Sequence, residues 1–199
     1  MRVLSIDTAS PLPALALVET GDDARGREAL RLLPRNAAEA LPSALDALLA
    51  EASVTLRAVE RVAVLSGPGS FTGLRAGAAF ARGLARALAV PLVAIPTFRA
   101  ASEAVPGGDA DFLLDGGRGE VVRARRRGPE LSNDAAPLPR EAALADARGR
   151  RLVELTADGP VLAPALAHLA ARETPSPFAP AYGRRSAAEE KALLRETNP

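Results

Sequence analysis

The chain contains no cysteine, one tyrosine, five phenylalanines and a single histidine, His168. Without cysteine there is no disulfide framework, thiolate metal site or thiol nucleophile. One histidine cannot form a His-rich zinc or iron centre, and no Ser-His-acid arrangement is legible. So few aromatic rings leave little for stacking nucleic-acid bases. No apolar run approaches about 18 residues, and Met1-Arg2-Val3-Leu4-Ser5-Ile6-Asp7 reaches a charge too soon for a signal-peptide core. The expectation is a soluble cytoplasmic protein with no membrane segment. Lysine is nearly missing too: of 25 Lys and Arg residues only Lys191 is lysine, and the formal net charge is +1. That skew, with abundant alanine and proline, reads as GC-rich codon usage more than selection for phosphate contacts. The densest basic run, Arg123 to Arg127, is expected to be a solvated edge strand. Paired carboxylates at Asp22-Asp23 and Glu189-Glu190 lie in polar segments and read as solvated.

What is present is enough for a core: 199 residues, 48% of them hydrophobic, fit one domain or two small lobes. Val3 to Ile6 and Ala14 to Val18 read as strands joined by a hairpin rich in turn formers. A third strand is expected around Glu28 to Leu33. Leucines 41, 45, 48 and 49 keep helical spacing from Ala37 to Ala52, with Pro42 either starting that helix proper or kinking it. Strand Val62 to Leu65, helix Thr72 to Ala89, strand Leu92 to Ile95 and a helix from Thr97 follow, a mixed sheet covered by helices. The turn-rich stretch Val105 to Asp109 suggests a boundary, giving lobes 1–105 and 106–199. In the smaller second lobe strands are expected at Phe112 to Leu114 and Glu120 to Ala124, with helices near Pro139 to Ala147 and Val161 to Ala171. An irregular proline-rich segment (Thr174 to Pro180) and a polar C-terminal helix (Ala187 to Arg195) complete it.

The most informative stretch is Gly67-Pro68-Gly69-Ser70-Phe71-Thr72-Gly73-Leu74-Arg75. It joins a buried strand to a long helix through a rigid turn, with Ser70 or Thr72 able to cap the helix. Such a turn can hold an anion on free N–H groups at the helix N-terminus or dock two elements closely. The hairpin after Asp7-Thr8 resembles the phosphate loop of ATP-using folds, but Pro11 and Pro13 each remove a backbone donor that a phosphate cradle needs. The helix beyond the turn is apolar on more than one side. Leu74, Ala78, Ala81, Leu84 and Leu88 are expected on the sheet, and Ala76, Phe80, Gly83 and Ala87 on another face, covered either by the first helix or by another subunit.

Ile6-Asp7-Thr8, Leu41-Pro42, the nine-residue glycine motif, Val90-Pro91, Asp115-Gly116-Gly117-Arg118-Gly119-Glu120-Val121 and Pro180-Ala181-Tyr182-Gly183-Arg184 together resemble the TsaB (YeaZ) family over nearly the whole chain. The resemblance implies an α/β fold of the actin-like, sugar-kinase-like (ASKHA) ATPase type, with two related lobes of mixed sheet flanked by helices. It further implies a non-catalytic subunit that supports a TsaD-type transferase in making N6-threonylcarbamoyladenosine beside the tRNA anticodon. A TsaE-type ATPase joins that assembly, and tRNA is engaged indirectly through the complex. The dimer surface is then expected on the first two helices: Leu41, Leu45 and Leu48, with Leu74, Arg75, Ala76, Ala79, Phe80 and Gly83. The same surface would also serve a homodimer. Asp7, Thr8, Gly67, Gly69, Ser70, Thr72 and Gly73 become a vestigial phosphate site. No metal or catalytic residue is expected, and ATP or ADP would enter only at the partner complex. The sequence departs from the family pattern at Asn36, where a histidine is common, and at Gly117 and Val122. The competing reading is an autonomous ATP-dependent enzyme of the same fold using Asp7 and the Gly67–Gly73 turn. A peptidase has no legible nucleophile to support it.

Overall fold

In the computed structural model the described residues are 1–21, 27–34, 37–134 and 136–175. Outside them fall Asn36, the pairs Asp22-Asp23 and Glu189-Glu190, the Pro180–Arg184 piece, most of the proline-rich segment and the expected C-terminal helix.

The first half runs β1 (Arg2–Asp7), β2 (Ala14–Glu19), β3 (Arg27–Leu32), α1 (Ala37–Ala52), β4 (Arg61–Gly67), α2 (Phe71–Leu88), β5 (Leu92–Pro96) and α3 (Thr97–Ala104). Its sheet has the order β3-β2-β1-β4-β5. β1 to β3 form an antiparallel meander, and β4 and β5 join parallel to β1. Parallel pairing needs crossovers, which α1 and α2 supply. The second half repeats the scheme: β6 (Ala110–Gly117), β7 (Glu120–Arg127), β8 (Glu130–Asn133), β9 (Leu138–Pro139), α4 (Arg140–Asp146), β10 (Arg151–Leu155) and α5 (Ala163–Arg172). β6, β7 and β8 are antiparallel and β10 is parallel to β6. This is the α/β, two-lobe ASKHA-like architecture.

Strand alternation divides the core. Leu4, Ile6, Leu15, Leu17, Val62 and Val64 point to one face, where they meet Leu41, Leu45, Leu48 and Leu49 of α1 and Ala81 and Ala85 of α2. Val3, Ala63, Leu65, Val93 and Ile95 point to the other, where Phe98 of α3 and Leu162 and Leu166 at α5 cover them. Helix α5 belongs to the second half but lies on the first sheet, and the same cluster continues into Phe112, Leu114 and Leu155. Two arginines, Arg61 half-buried and Arg126 buried, tie the halves. Arg61 donates to the carbonyls of Ala170 (2.5 Å) and Glu173 (2.9 Å). Arg126 donates to those of Ser102 (2.7 Å), Val105 (2.7 Å) and Gly108 (2.9 Å), beneath the Phe112 ring.

Two expectations need correction. Arg123 to Arg127 is no solvated edge: β7 is paired on both sides, and Arg123 is 3% exposed. Arg123 and Arg125 bind Asp134 and Asp146, while Arg127 and Arg150 share the fully buried Asp111. Burial pushes the Asp111 carboxyl up, but Arg150 and Arg127 outweigh it and hold it below the usual carboxylate range. Of the two roles expected for Pro42, beginning α1 is not the one it has: it lies inside the helix. The helix starts five residues earlier and carries it exposed in the second turn.

Candidate functional site

The glycine turn and the Asp7 hairpin are pressed against each other. β4 ends at Gly67, the Gly67-Pro68 peptide is cis, and Ser70 caps α2 by accepting from the Gly73 N–H at 3.2 Å. The Ser70 N–H donates to the Ala9 carbonyl at 2.9 Å. The Thr8 hydroxyl donates to the Gly73 carbonyl at 2.6 Å. Glycine is required by this approach, because a Cβ on Gly69 would lie 2.6 Å from the Ala9 oxygen and one on Gly73 only 1.9 Å from the Thr8 oxygen. Gly77, one helical turn on, faces the same residue, and a Cβ there would lie 2.4 Å from Thr8 Oγ1. Of the two uses open to the turn, close docking is the one its atoms perform.

Asp7 is spent inside its own loop. Its Oδ1 accepts from the N–H groups of Ala9 (3.0 Å) and Ser10 (2.9 Å), and Oδ2 from the Ser10 hydroxyl (2.5 Å). The side chain is fully buried; burial pushes its pKa up to about 6, against the lowering effect of those hydrogen bonds. The N–H groups of Ala9, Ser10, Ser70 and Gly73, which a phosphate would need, thus have protein partners. The corresponding hairpin of the second half holds the Asp115 segment, where Asp115 accepts from the Gly117 N–H at 2.9 Å and Gly117, Arg118 and Gly119 all take positive φ.

The residues expected at a partner surface divide into two groups. Leu41, Leu45, Leu48 and Leu74 are at most 4% exposed and fill the chain's own core. Arg75, Ala79 and Gly83 lie exposed along α2, with Ala76 and Phe80 half-buried beside them. Phe80, Leu84 and Leu88 lean on the α1 cluster, so α1 covers one flank of α2 and leaves the outermost stripe to solvent. Phe71 continues that stripe at 44% exposure, under the Arg75 guanidinium. Thr72 is exposed beside it. Sequence reasoning did not single out Ser10 or Gly77. The signals were there, in the Asp7-x-x-Ser10 spacing of a capped turn and the four-residue step from Gly73 to Gly77 on one helix face.

Elsewhere, His168 is a half-exposed helix residue with Nε2 3.8 Å from Glu28. Among the described residues no group of three or more His, Cys, Asp or Glu side chains could hold a metal ion. Nor is any helix among them long and apolar enough to cross a membrane.

Comparison with known proteins agrees with this architecture. The family model described as "TsaD: tRNA N6-adenosine threonylcarbamoyltransferase" matches residues 31–137. An uncharacterized protein of Mycobacterium tuberculosis is 36% identical over 126 residues, covering 62% of this chain and 58% of the relative. The tRNA threonylcarbamoyladenosine biosynthesis protein TsaB of Haemophilus influenzae is 32% identical over 104 residues, covering 52% of this chain and 43% of its own length. The chain thus spans less than two thirds of the length of these curated relatives. A solved Pseudomonas aeruginosa structure, titled as an uncharacterized protein with similarity to peptidase YeaZ, superposes with a TM-score of 0.70 at 25% identity. That match covers 92% of this chain and 99% of the other. A fold of two ASKHA-like lobes, a glycine turn docked on its first hairpin and these relatives converge on one assignment: the chain belongs to the TsaD-type family and, within it, to the TsaB/YeaZ group.

Proposed function

We propose that this chain is a non-catalytic subunit that binds a TsaD-type transferase through the outward face of α2 and supports its formation of N6-threonylcarbamoyladenosine next to the tRNA anticodon. The observation that carries the reading is the fate of Asp7. Its carboxylate and the nearby N–H donors satisfy one another, so presenting a phosphate or a metal from this hairpin would require breaking buried hydrogen bonds. The relatives named for threonylcarbamoyladenosine biosynthesis support the pathway. In this reading the work of the chain is done by surface. A second copy and the transferase compete for α2, a TsaE-type ATPase joins the assembly, ATP or ADP binds only within it, and tRNA is engaged through it. The setting is cytoplasmic.

Reconstitution of threonylcarbamoyl transfer with and without this chain tests the proposal. Stimulation by the wild type and its loss in Ala79→Glu, with unchanged melting behaviour, are expected. Ala79 is the cleaner site because Phe80 also packs internally. Transfer that proceeds equally without the chain would end the proposal. Tight ATP binding by the isolated chain, abolished in Asp7→Ala, would replace it with the autonomous ATP-dependent enzyme.

A further inference from the structure

The first sheet ends in an edge strand that is poorly defended. Among the described residues β3 pairs with β2 alone. The ladder fixes which of its groups face outward. The Leu33 N–H donates to the Pro13 carbonyl at 2.8 Å, and antiparallel residues alternate between pairs that exchange hydrogen bonds and pairs that do not. Arg27, Ala29 and Arg31 therefore spend their main-chain groups on β2, and those of Glu28, Leu30 and Leu32 point away from the sheet. The side chains of Leu30 and Leu32 are 39% and 54% exposed, on the face where Ala14 and Ala16 meet α5. Natural edges are commonly blunted by proline or by charge. β3 has no proline, and Arg27 and Arg31 lie on its other face, Arg31 held by Glu51.

We propose that β3 pairs antiparallel with β3 of a second copy, across a two-fold axis normal to the sheet at Leu30, so that the two first sheets become one. Such an axis keeps faces together, so even-numbered residues stand opposite even and odd opposite odd, and charge then chooses the register. Centring on Ala29 would set Arg27 against Arg31, and centring on Arg31 would set that residue against itself. Centring on Leu30 sets Arg31 against Ala29 and Glu28 against Leu32, with no like charges opposed. Every outward residue is then paired, making about six main-chain hydrogen bonds, two for each pair. Leu30 meets its own copy and Leu32 lies diagonal to it, which covers the exposed leucines of both chains. The contact is isologous and closes at two copies. Strands β2 and β1 separate β3 from β4, which lies under α2. The pairing therefore leaves the outward stripe of α2 open and is independent of the role proposed for it.

The chain has no cysteine, so single introduced thiols report the register through a short thiol-to-thiol crosslinker. Leu30→Cys should crosslink to a dimer, because opposite residues of a hydrogen-bonded pair stand about 5.5 Å apart at Cα. Glu28→Cys and Leu32→Cys should each fail alone, their own copies being roughly 14 Å away along the strands, and should crosslink when mixed. Sedimentation velocity over a concentration series, in the Ala79→Glu background that blocks the α2 stripe, reads the same contact by mass. There Leu30→Pro, which removes only an outward N–H, should weaken self-association at least about tenfold. Leu32→Lys puts a charge on the edge at an exposed position and should do the same, which keeps the test sound if the proline variant melts early. An Ala79→Glu chain monomeric throughout, a Leu30→Cys yield no higher than that of Glu28→Cys, or self-association unchanged by Leu32→Lys would each overturn the inference. The transfer assay with wild-type chain judges the subunit role separately, since it requires no pairing at β3.

Discussion

Replacing Gly73 by alanine should destabilise the chain, whereas the same replacement ten residues along the same helix, at Gly83, should stabilise it. Alanine is the better helix former by up to about 1 kcal/mol, and that gain is common to both sites. The difference lies in what a methyl group meets. At Gly83 nothing lies within 4 Å, while at Gly73 the Thr8 carbonyl oxygen lies 1.9 Å away and its carbon 2.8 Å. A normal contact needs well over an ångström more, and the obstacle is backbone in a hairpin anchored by Asp7, so it cannot rotate aside. A clash this short with backbone sits at the upper end of the usual overpacking cost, about 3 kcal/mol, so after the gain of up to about 1 kcal/mol is subtracted the net loss is roughly 2 kcal/mol, against a gain approaching 1 kcal/mol at Gly83. At about 2–4 °C per kcal/mol for a chain of this size, Tm should fall by about 4–8 °C in one variant and rise by about 2–4 °C in the other. Urea and thermal melts at low protein concentration, to keep association out of the comparison, measure both. A Gly73→Ala protein as stable as the wild type would refute the docking argument for the whole turn. Gly77→Ala offers a cross-check, because its obstacle is the Thr8 hydroxyl. It should be costly alone and largely tolerated together with Thr8→Ala, a coupling that a double-mutant cycle reads directly.

The buried Asp7 predicts a pH dependence of definite sign. Its folded pKa of about 6 exceeds the unfolded value of 3.8, so the folded chain keeps a proton that the unfolded chain releases. Stability should therefore fall as pH rises from about 4 to 6, by at most about 3 kcal/mol for this group. Asp7→Asn preserves the acceptor for the Ala9 and Ser10 N–H groups and should remove that slope, visible as the pH-dependent difference between its urea midpoints and those of the wild type. Asp7→Ala strands two N–H groups and should cost roughly 2 kcal/mol or more at any pH. Asp111 should act oppositely: Arg150 and Arg127 hold it ionised, so its contribution is present at neutral pH and is lost as pH falls through the acid range below about 4, and Asp111→Asn should flatten that limb of the curve. Arg126→Met leaves the carbonyls of Ser102, Val105 and Gly108 without their donor. It should lower stability by about 2–3 kcal/mol in chemical denaturation, and an unchanged midpoint would show that these contacts contribute nothing.

The first half was legible because its elements advertise themselves. Val62 to Leu65 is an unbroken buried run, the leucines of α1 keep helical spacing, and Gly67 to Gly73 punctuates the passage from strand to helix. In the second half the signals weaken. β10 begins with Arg151 and has one fully buried apolar residue, Leu155, so its partnership with β6 is a tertiary fact that period-two patterning barely registers. β8 is a polar four-residue strand and β9 has only two residues. The arginines of β7 read as solvated because their partners are remote in sequence. Asp111, Asp134 and Asp146 come together only once the sheet has formed. The same limit applied at the candidate site: the prolines of the hairpin could be seen to remove donors, but that Asp7, Ser10 and Ala9 satisfy the remaining ones depends on where the chain turns.

Helix α5 sets the order in which the chain can mature during synthesis. The face of the first sheet made by Val3, Ser5, Ala14 and Ala16 is lined with small side chains because α5 lies directly on it, with the Ser5 hydroxyl donating to the Ala163 carbonyl at 2.6 Å. Ribosomes release the chain from its N-terminus, and at about 5–20 residues per second the first sheet waits several seconds with that face bare. A nascent chain stalled after α3 would present an apolar wall to chaperones, and the protein commits to its final shape only when a segment from the far end of its sequence has arrived.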